Sequence, residues 1–505
     1  MTVEFKAEET QMAEVVVAAA PGEETKKFTD ETEKAFQGDD DEVRDADECK
    51  PKTVAKSSSY KEESNFLTDL KEFERKALNE LKAKLEEAIL GNNLYKKEHP
   101  KKTEEKPVAE EKDAKEGEES EKPVEEAAEN KEEVKDEEGD KKEKEALECE
   151  EEKKGVDTDI SLWGVPLLPS KGAEGTDVIL LKFLRAREFR VNDAFEMLKK
   201  TLQWRKEAEI DSILDDELCA DLSSAAYMSG VDREGHPVCY NIFGVFDSVE
   251  LYQKTFGTDE KRRQFLRWRC QFMEKGIQKL DLKPGGASSL IQINDLKKSP
   301  GPAKKELRIA TKQAIGIFQD NYPELVAKNI FINVPFWYYA LNALISPFLT
   351  QRTKSKFVVA RPARVTETLL KYIPVEEIPV NYGGFKREND FEFSGKDGKV
   401  SELILKAGST EIIEIPALEE VGSTLVWDLT VLGWEVKYRE EFVPIDEGSY
   451  TIIVQKGKKM GSQEGPIRNT FRTNEPGKLV LTIENMSSKK KRVLHRYKAN
   501  ANKSC

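Results

Sequence analysis

Residues Phe331–Arg361 read FINVPFWYYALNALISPFLTQRTKSKFVVAR, and the changes of pattern inside this stretch fix the kind of domain around it. The run Ile330–Val334 has the composition of a buried strand and stops at Pro335. From Phe336 to Leu349 the residues are apolar almost all round a helix: Phe336, Trp337, Tyr338, Tyr339, Leu341, Leu344, Ile345 and Phe348. A helix apolar on every side must be enclosed by protein, or must lie between protein and something greasy. It is too short for the ~20 residues of a bilayer span, and Asn342 and Pro347 interrupt it. Arg352-Thr353-Lys354-Ser355-Lys356 follows as a basic turn and leads into a second buried strand, Phe357–Arg361. Cations interleaved with hydroxyls supply charge-assisted and neutral donors together, which suits a phosphate. Two readings stay open: a fully buried core helix, or a greasy wall beside an anion-binding mouth, as one phospholipid molecule requires. The second demands a closed cage, because each acyl CH₂ left in water costs ~0.8 kcal/mol.

Outward from this stretch, strands and helices alternate. Pro237–Ile242, Ser289–Ile293, Ile330–Val334 and Phe357–Arg361 are strand candidates, separated by helical patterns at Asp259–Leu280 and Ala303–Phe318. That alternation predicts a mainly parallel sheet covered by helices. Before it, Thr176–Arg187 and Asn192–Lys206 are helical, with Asn192 placed as an N-cap. Beyond Gly383–Gly384 and the linker Ser394–Lys399, short strands dominate: Glu411–Ile415, Leu425–Leu432, Glu435–Phe442, Tyr450–Gln455, Ile467–Phe471, Leu479–Glu484 and Arg492–Tyr497. About 100 residues of this kind predict an all-β sandwich.

The charge is unevenly spread. Residues 1–160 sum to −22 and the whole chain to −15, so residues 161–505 carry +7. Residues 100–155, mostly Glu and Lys, cannot bury enough apolar surface to offset the entropy of ordering and are predicted to be disordered. This tail either simply solvates, or competes with anionic lipid for a basic surface. In Ser64–Leu90, Leu70, Phe73, Ala77, Leu81, Leu85 and Ala88 recur at helical spacing up to a stop at Gly91. That helix packs on the folded domain, or serves membrane or coiled-coil association.

Several functions are disfavoured. The chain has no G-x-S-x-G elbow, no phosphate-binding G-x-x-x-x-G-K-[ST] loop and no H-E-x-x-H helix, which argues against an enzyme. Cys49, Cys149, Cys219, Cys239, Cys270 and Cys505 show no metal-binding spacing, and His99, His236 and His495 lack close cysteine partners, so neither metal nor cofactor is expected. His236, in the turn-like run Asp232–Pro237, reads as a surface histidine. Val15–Pro21 is too short, and too acidic in its flank, for a secretory leader, and Cys505 as last residue is no prenylation site. An acidic chain with few basic clusters also disfavours nucleic acid. Lys261, Arg262, Arg263, Arg267 and Arg269 on one helix, and Lys489, Lys490, Lys491 and Arg492 near the end, either are solvated faces or touch anionic membrane at ~1 kcal/mol per charge.

Thr176–Arg190 (TDVILLKFLRAREFR), Gln319–Pro335 (QDNYPELVAKNIFINVP), the apolar helix with its basic turn, and Ile378–Phe385 (IPVNYGGF) together resemble the CRAL-TRIO domain of phosphatidylinositol-transfer proteins. The C-terminal part, with Trp427 and Trp434, is similar to a GOLD (Golgi dynamics) domain. An acidic tail, a CRAL-TRIO domain and a GOLD domain in this order resemble the plant patellins. The resemblance implies a multidomain chain: a tail over 1–155 with a helix near 64–90, an N-terminal helical lobe at 160–235, an α/β lipid-binding domain at 236–385, and a GOLD sandwich at 395–500. It implies that Phe336–Phe348 forms a gate over a lipid cavity with Glu324 at its hinge. It also implies that Arg187, Thr353 and Lys356 hold a phosphoinositide head group. Glu188 stands where the family has a second basic residue, and Phe318 replaces a serine that contacts phosphatidylcholine. The expected partners are phosphoinositides and other phospholipids, a membrane surface at the plasma membrane and cell plate, and proteins recruited through the GOLD domain. The alternative is a GOLD-mediated trafficking scaffold that senses lipid without transferring it.

Overall fold

A computed structural model of the chain describes residues 62–95, 158–218, 220–300, 304–335, 355–393, 398–417, 422–461 and 464–500. The acidic stretch 100–155, the predicted gate residues Phe336, Trp337, Tyr338, Leu341, Leu344, Ile345 and Phe348, and Thr353 lie outside the described residues.

Helix α1 (Glu72–Leu90) stops at Gly91 and buries Ala77, Leu78, Leu81, Leu85, Ala88 and Ile89. A short hairpin, β1 (Ser161–Leu162) and β2 (Val165–Pro166), precedes α2 (Glu174–Ala186) and α3 (Val191–Glu207). The three helices share one core with Phe183, Leu184, Leu198 and Leu202, so α1 belongs to the folded lobe. Phe73 departs from the predicted face: it is 56% exposed and meets Phe189 edge-on at 5.6 Å. The predicted cap shifts as well. Arg190 is the N-cap of α3, and Asn192 sits in the first turn, where its Oδ1 accepts a hydrogen bond from Lys84.

The sheet of the central domain runs β3 (Ala226–Val231), β4 (Pro237–Ile242), β5 (Leu290–Asp295), β6 (Val326–Ile332) and β7 (Phe357–Val359). β3 pairs antiparallel with β4, and all later pairs are parallel. Because successive side chains alternate between faces, each strand contributes to two cores. Val238, Tyr240, Ile291, Ile293, Ile330 and Ile332 face the segment 365–385. Cys239 and Leu290 face α5 (Asp259–Ile277) and α6 (Lys305–Asn321), reached after α4 (Val249–Phe256).

The C-terminal domain is two antiparallel sheets. One has β8 (Ser401–Leu405), β10 (Thr424–Val431), β13 (Ile467–Arg472) and β15 (Lys491–Asn500) in the order β13-β10-β15-β8. The other has β9 (Thr410–Pro416), β11 (Val436–Pro444), β12 (Ile452–Met460) and β14 (Gly477–Asn485) in the order β12-β11-β14-β9. Trp427, Trp434, Tyr438, Leu481 and Val493 fill the space between them. The two domains share buried contacts: Leu494 lies in the core of the central sheet, and Arg387 Nη1 donates to the buried Asp428 at 2.9 Å.

Candidate functional site

The turn from α6 into β6 and the start of β7 bring two predicted residues together. Lys356 Nζ lies 2.7 Å from Glu324 Oε2, and both side chains are mostly buried. Glu324 adopts a left-handed backbone at φ 51°, an uncommon conformation for a side chain of this kind, and this presents its carboxylate to β7. A third group was missed in the sequence. Lys182 of α2 donates to the Glu324 carbonyl at 2.9 Å and to Ser288 Oγ at 3.2 Å, and it is 2% exposed. Burial pushes its ammonium down to about 8, against the pull of Glu62 and Glu324. The corner therefore holds two lysines and two carboxylates, with Lys356 on the Glu324 carboxylate and Lys182 on the Glu324 carbonyl in the field of Glu62 and Glu324.

Arg187 sits at the C-cap of α2, half-buried, with Nη1 donating to the Ala186 carbonyl at 3.0 Å. It stands five residues beyond Lys182, about 140° further round the helix, so the two point differently. Among the described residues the lobe's cation at Glu324 is thus Lys182. The signal for it was available: Lys182 is the one charge inside the apolar run Val178–Leu184.

Beside the corner, the segment Glu62–Asn65 lies across the lobe. Arg185 donates to Asn65 Oδ1 and to the Ser64 carbonyl, each at 2.6 Å, and Nε is 3.1 Å from Glu63. His236 corrects the surface reading: it is 4% exposed, between Asp232 at 3.0 Å and Glu62 at 2.9 Å. Burial opposes its charging, but these two carboxylates raise it to about 9.

Strand β6 ends at Ile332 and β7 begins at Phe357. Around these ends Phe331, Val334, Phe357, Val359 and Leu296 form an apolar patch, with Phe331 and Phe357 stacked at 5.7 Å. Phe318 packs on Tyr322 and under the guanidinium of Arg269. A cavity of about 1430 Å³ opens between the domains, lined among others by Asn333, Pro335, Lys297, Lys298, Lys489 and Lys490.

The predicted membrane-facing cations separate in the structure. Lys489 and Lys490 are exposed at this cavity. Lys491 is buried, donating to the Gly433 carbonyl at 3.3 Å and lying 3.5 Å from Glu435, and Arg492 pairs with Glu402 at 2.8 Å. On α5, Arg262 pairs with Asp259, Arg263 with Glu260, and Arg267 with Asp216. Arg269 turns inward.

A helical lobe on a mixed sheet, followed by a two-sheet sandwich, defines a CRAL/TRIO protein with a GOLD domain. Family profiles agree: the CRAL/TRIO domain matches residues 222–384, its N-terminal domain 77–200, and the Patellin-1-like C-terminal GOLD domain 406–491. Patellin-4 of Arabidopsis thaliana is 55% identical over 99% of this chain and 99% of its own length. Patellin-3 of the same plant is 49% identical over 67% of this chain and 69% of its own. A phosphatidylinositol transfer protein of Kluyveromyces lactis is 29% identical over 49% of this chain and 82% of its own. The chain belongs to the patellin family.

Proposed function

We infer that the protein holds one phosphoinositide at the corner of Lys182, Glu324 and Lys356, with Thr353 joining the head-group site and the acyl chains beneath Phe336–Phe348, and with Arg187 of the predicted set standing apart from that corner. The observation that supports this is the charge arrangement: two largely buried ammonium groups, Lys356 on the Glu324 carboxylate and Lys182 on the Glu324 carbonyl, stand at one corner as charge-assisted donors for an anion. The likeness to a transfer protein whose name specifies phosphatidylinositol supports the same ligand class. Exposed Lys489 and Lys490 at the mouth between the domains add attraction to an anionic membrane surface. Peripheral association at the plasma membrane and cell plate, in membrane trafficking, is proposed with it on the family resemblance alone. The GOLD hairpin tip, with Ile445 75% exposed and Tyr450 91% exposed, supports recruitment of protein partners.

Liposome flotation of the full chain tests the ligand. Phosphoinositide liposomes should retain it strongly and neutral liposomes weakly, with Lys356→Met and Lys182→Met each reducing the difference. Equal retention on both liposomes overturns the head-group assignment.

A further inference from the structure

The cavity between the central and GOLD domains measures about 1430 Å³, above the roughly 300–1,000 Å³ of ordinary small-molecule sites. Its walls are basic. Lys297 and Lys298 follow β5, Lys304 and Arg308 stand at the start of α6, and Lys489 and Lys490 lie on the turn from β14 to β15. Lys298 adopts a left-handed backbone at φ 54°, uncommon for a residue with a Cβ, and this turn leaves both of its lysines exposed.

The described carboxylates in the same walls are already engaged. Asp295 accepts hydrogen bonds from Tyr382 at 2.9 Å and from Asn333 at 2.7 Å. Glu367 pairs with Arg364, Glu435 lies 3.5 Å from Lys491, and Glu464 lies 4.0 Å from Lys458. Lys297, Lys298, Lys489 and Lys490 form no ion pair with a carboxylate among the described residues, so their charges face the space uncompensated. The N-terminus of α6 opens beside them with no side-chain cap among the described residues, which adds backbone N–H donors.

A planar bilayer meets only the rim of such a hollow, whereas an acidic chain segment can enter it. This chain carries one. Residues 116–140 hold thirteen carboxylates and three lysines, a net −10, within the stretch 96–157 that joins α1 to β1. The middle of that stretch is about thirty residues from either described end, and thirty extended residues reach about 100 Å. A folded body of this size is roughly 50 Å across, so the tether excludes no part of its surface.

We propose that residues 116–140 dock as an acidic peptide in the cleft between the central and GOLD domains, on Lys297, Lys298, Lys489 and Lys490. Docking covers Lys489 and Lys490 and withholds them from an anionic membrane until that membrane displaces the segment. This consequence rests on the reading of those two lysines as membrane-facing; the docking itself does not. A tethered segment has an effective concentration on the order of 1 mM, so a docking Kd of ~0.1 mM leaves the cleft open about one-tenth of the time. Membrane binding through the cleft lysines is then weakened about tenfold.

Carbodiimide cross-linking of the full chain without lipid, mapped by mass spectrometry, tests the docking. Bonds from the carboxylates of 116–140 should concentrate on Lys297, Lys298, Lys489 and Lys490, and should fade at ~0.5 M salt. Cross-links spread evenly, or gathered on Lys76 and Lys283, exposed lysines of the lobe that holds both ends of the stretch, overturn it. These bonds are read on the unsubstituted chain, so the idea can fail without any variant. Flotation on vesicles of phosphatidylserine and phosphatidylcholine reads the consequence. Replacing the thirteen carboxylates by amides should strengthen retention about tenfold, and Lys489→Ser with Lys490→Ser should abolish that gain. Unchanged retention while the cross-links hold keeps the docking and sinks the membrane-facing reading. Vesicles that shield the cleft lysines of a chain whose tail cross-links elsewhere make the membrane the occupant and overturn the docking. The vesicles carry no phosphoinositide, so failure of the Lys182–Lys356 corner changes neither result.

Discussion

Two of the buried charge clusters among the described residues are built to opposite ends. Where the GOLD domain meets the segment that precedes it, Asp428 and Asp390 face Arg387, Arg468 and Arg496, with Arg468 bonded to both aspartates at 2.6 to 2.8 Å and Arg496 Nε to Asp428 at 2.8 Å. Every cation there is a planar fork, and the fork geometry uses up the carboxylate oxygens. Burial resists ionisation of Asp390, yet Arg468 and the amides of Phe393 and Glu392 bring its carboxyl down to about 2. In the central domain, Lys182 and Lys356 surround Glu324 as point charges, and Lys182 is left with a value near 8. Saturated arginine forks fix shape, whereas the two lysines, one on a carboxylate and one on a backbone carbonyl, are the donors that the proposed head group would meet.

The sharpest way to break this contrast is Asp428→Asn. Removing the fully buried carboxylate leaves arginines uncompensated and should cost ~3–5 kcal/mol, read as a lower urea midpoint with an unchanged slope. A loss below ~1 kcal/mol would show that Asp390 alone suffices.

Next comes pH. His236 has a folded value near 9 against an ordinary 6.5, so its contribution is fully present below pH 6.5 and disappears as pH rises through 9. It is on the order of 3 kcal/mol, and His236→Gln should flatten that part of the stability profile. Lys182 has the opposite sign: its folded value lies below the ordinary 10.5, so its burial penalty fades between pH 8 and 10.5. Phosphoinositide retention should meanwhile fall as pH passes 8 and Lys182 discharges. Retention that is flat from pH 7 to 9 would remove Lys182 from the site.

Lys356→Met should cost ~1.5–3 kcal/mol of head-group affinity, about ten- to hundredfold, while changing the urea midpoint less than Asp428→Asn does. If the two variants rank the other way, the distinction between clusters is lost. Arg263→Ser should be nearly silent in both assays, within ~0.5 kcal/mol, because Glu260 already neutralises that exposed guanidinium on its own helix.

Much of this architecture was legible beforehand. Pro237–Ile242 is the fourth strand residue for residue, because its apolar run is bounded by a glycine turn and carries a central-strand composition. Ala226–Val231 escaped notice, since an antiparallel edge strand containing Ser229 and Gly230 with a shifted register leaves little periodic signal. Lys356 and Glu324 were both singled out, but their pairing spans 32 residues and depends on a parallel crossover that no local pattern reports. His236 was misread for the same reason, because the carboxylate that covers it, Glu62, is 174 residues away. Arg269 was grouped with surface cations since helix spacing alone could not separate it from Arg262, although only Arg269 turns toward the sheet.

Leu494 sits among the side chains under the central sheet while its strand belongs to the GOLD sandwich. A protease cut made between residues 393 and 398 would then sever the backbone without parting the halves. They should co-migrate on a sizing column until denaturant is added, behaving as one rigid tool whose handle and jaw are held by packing.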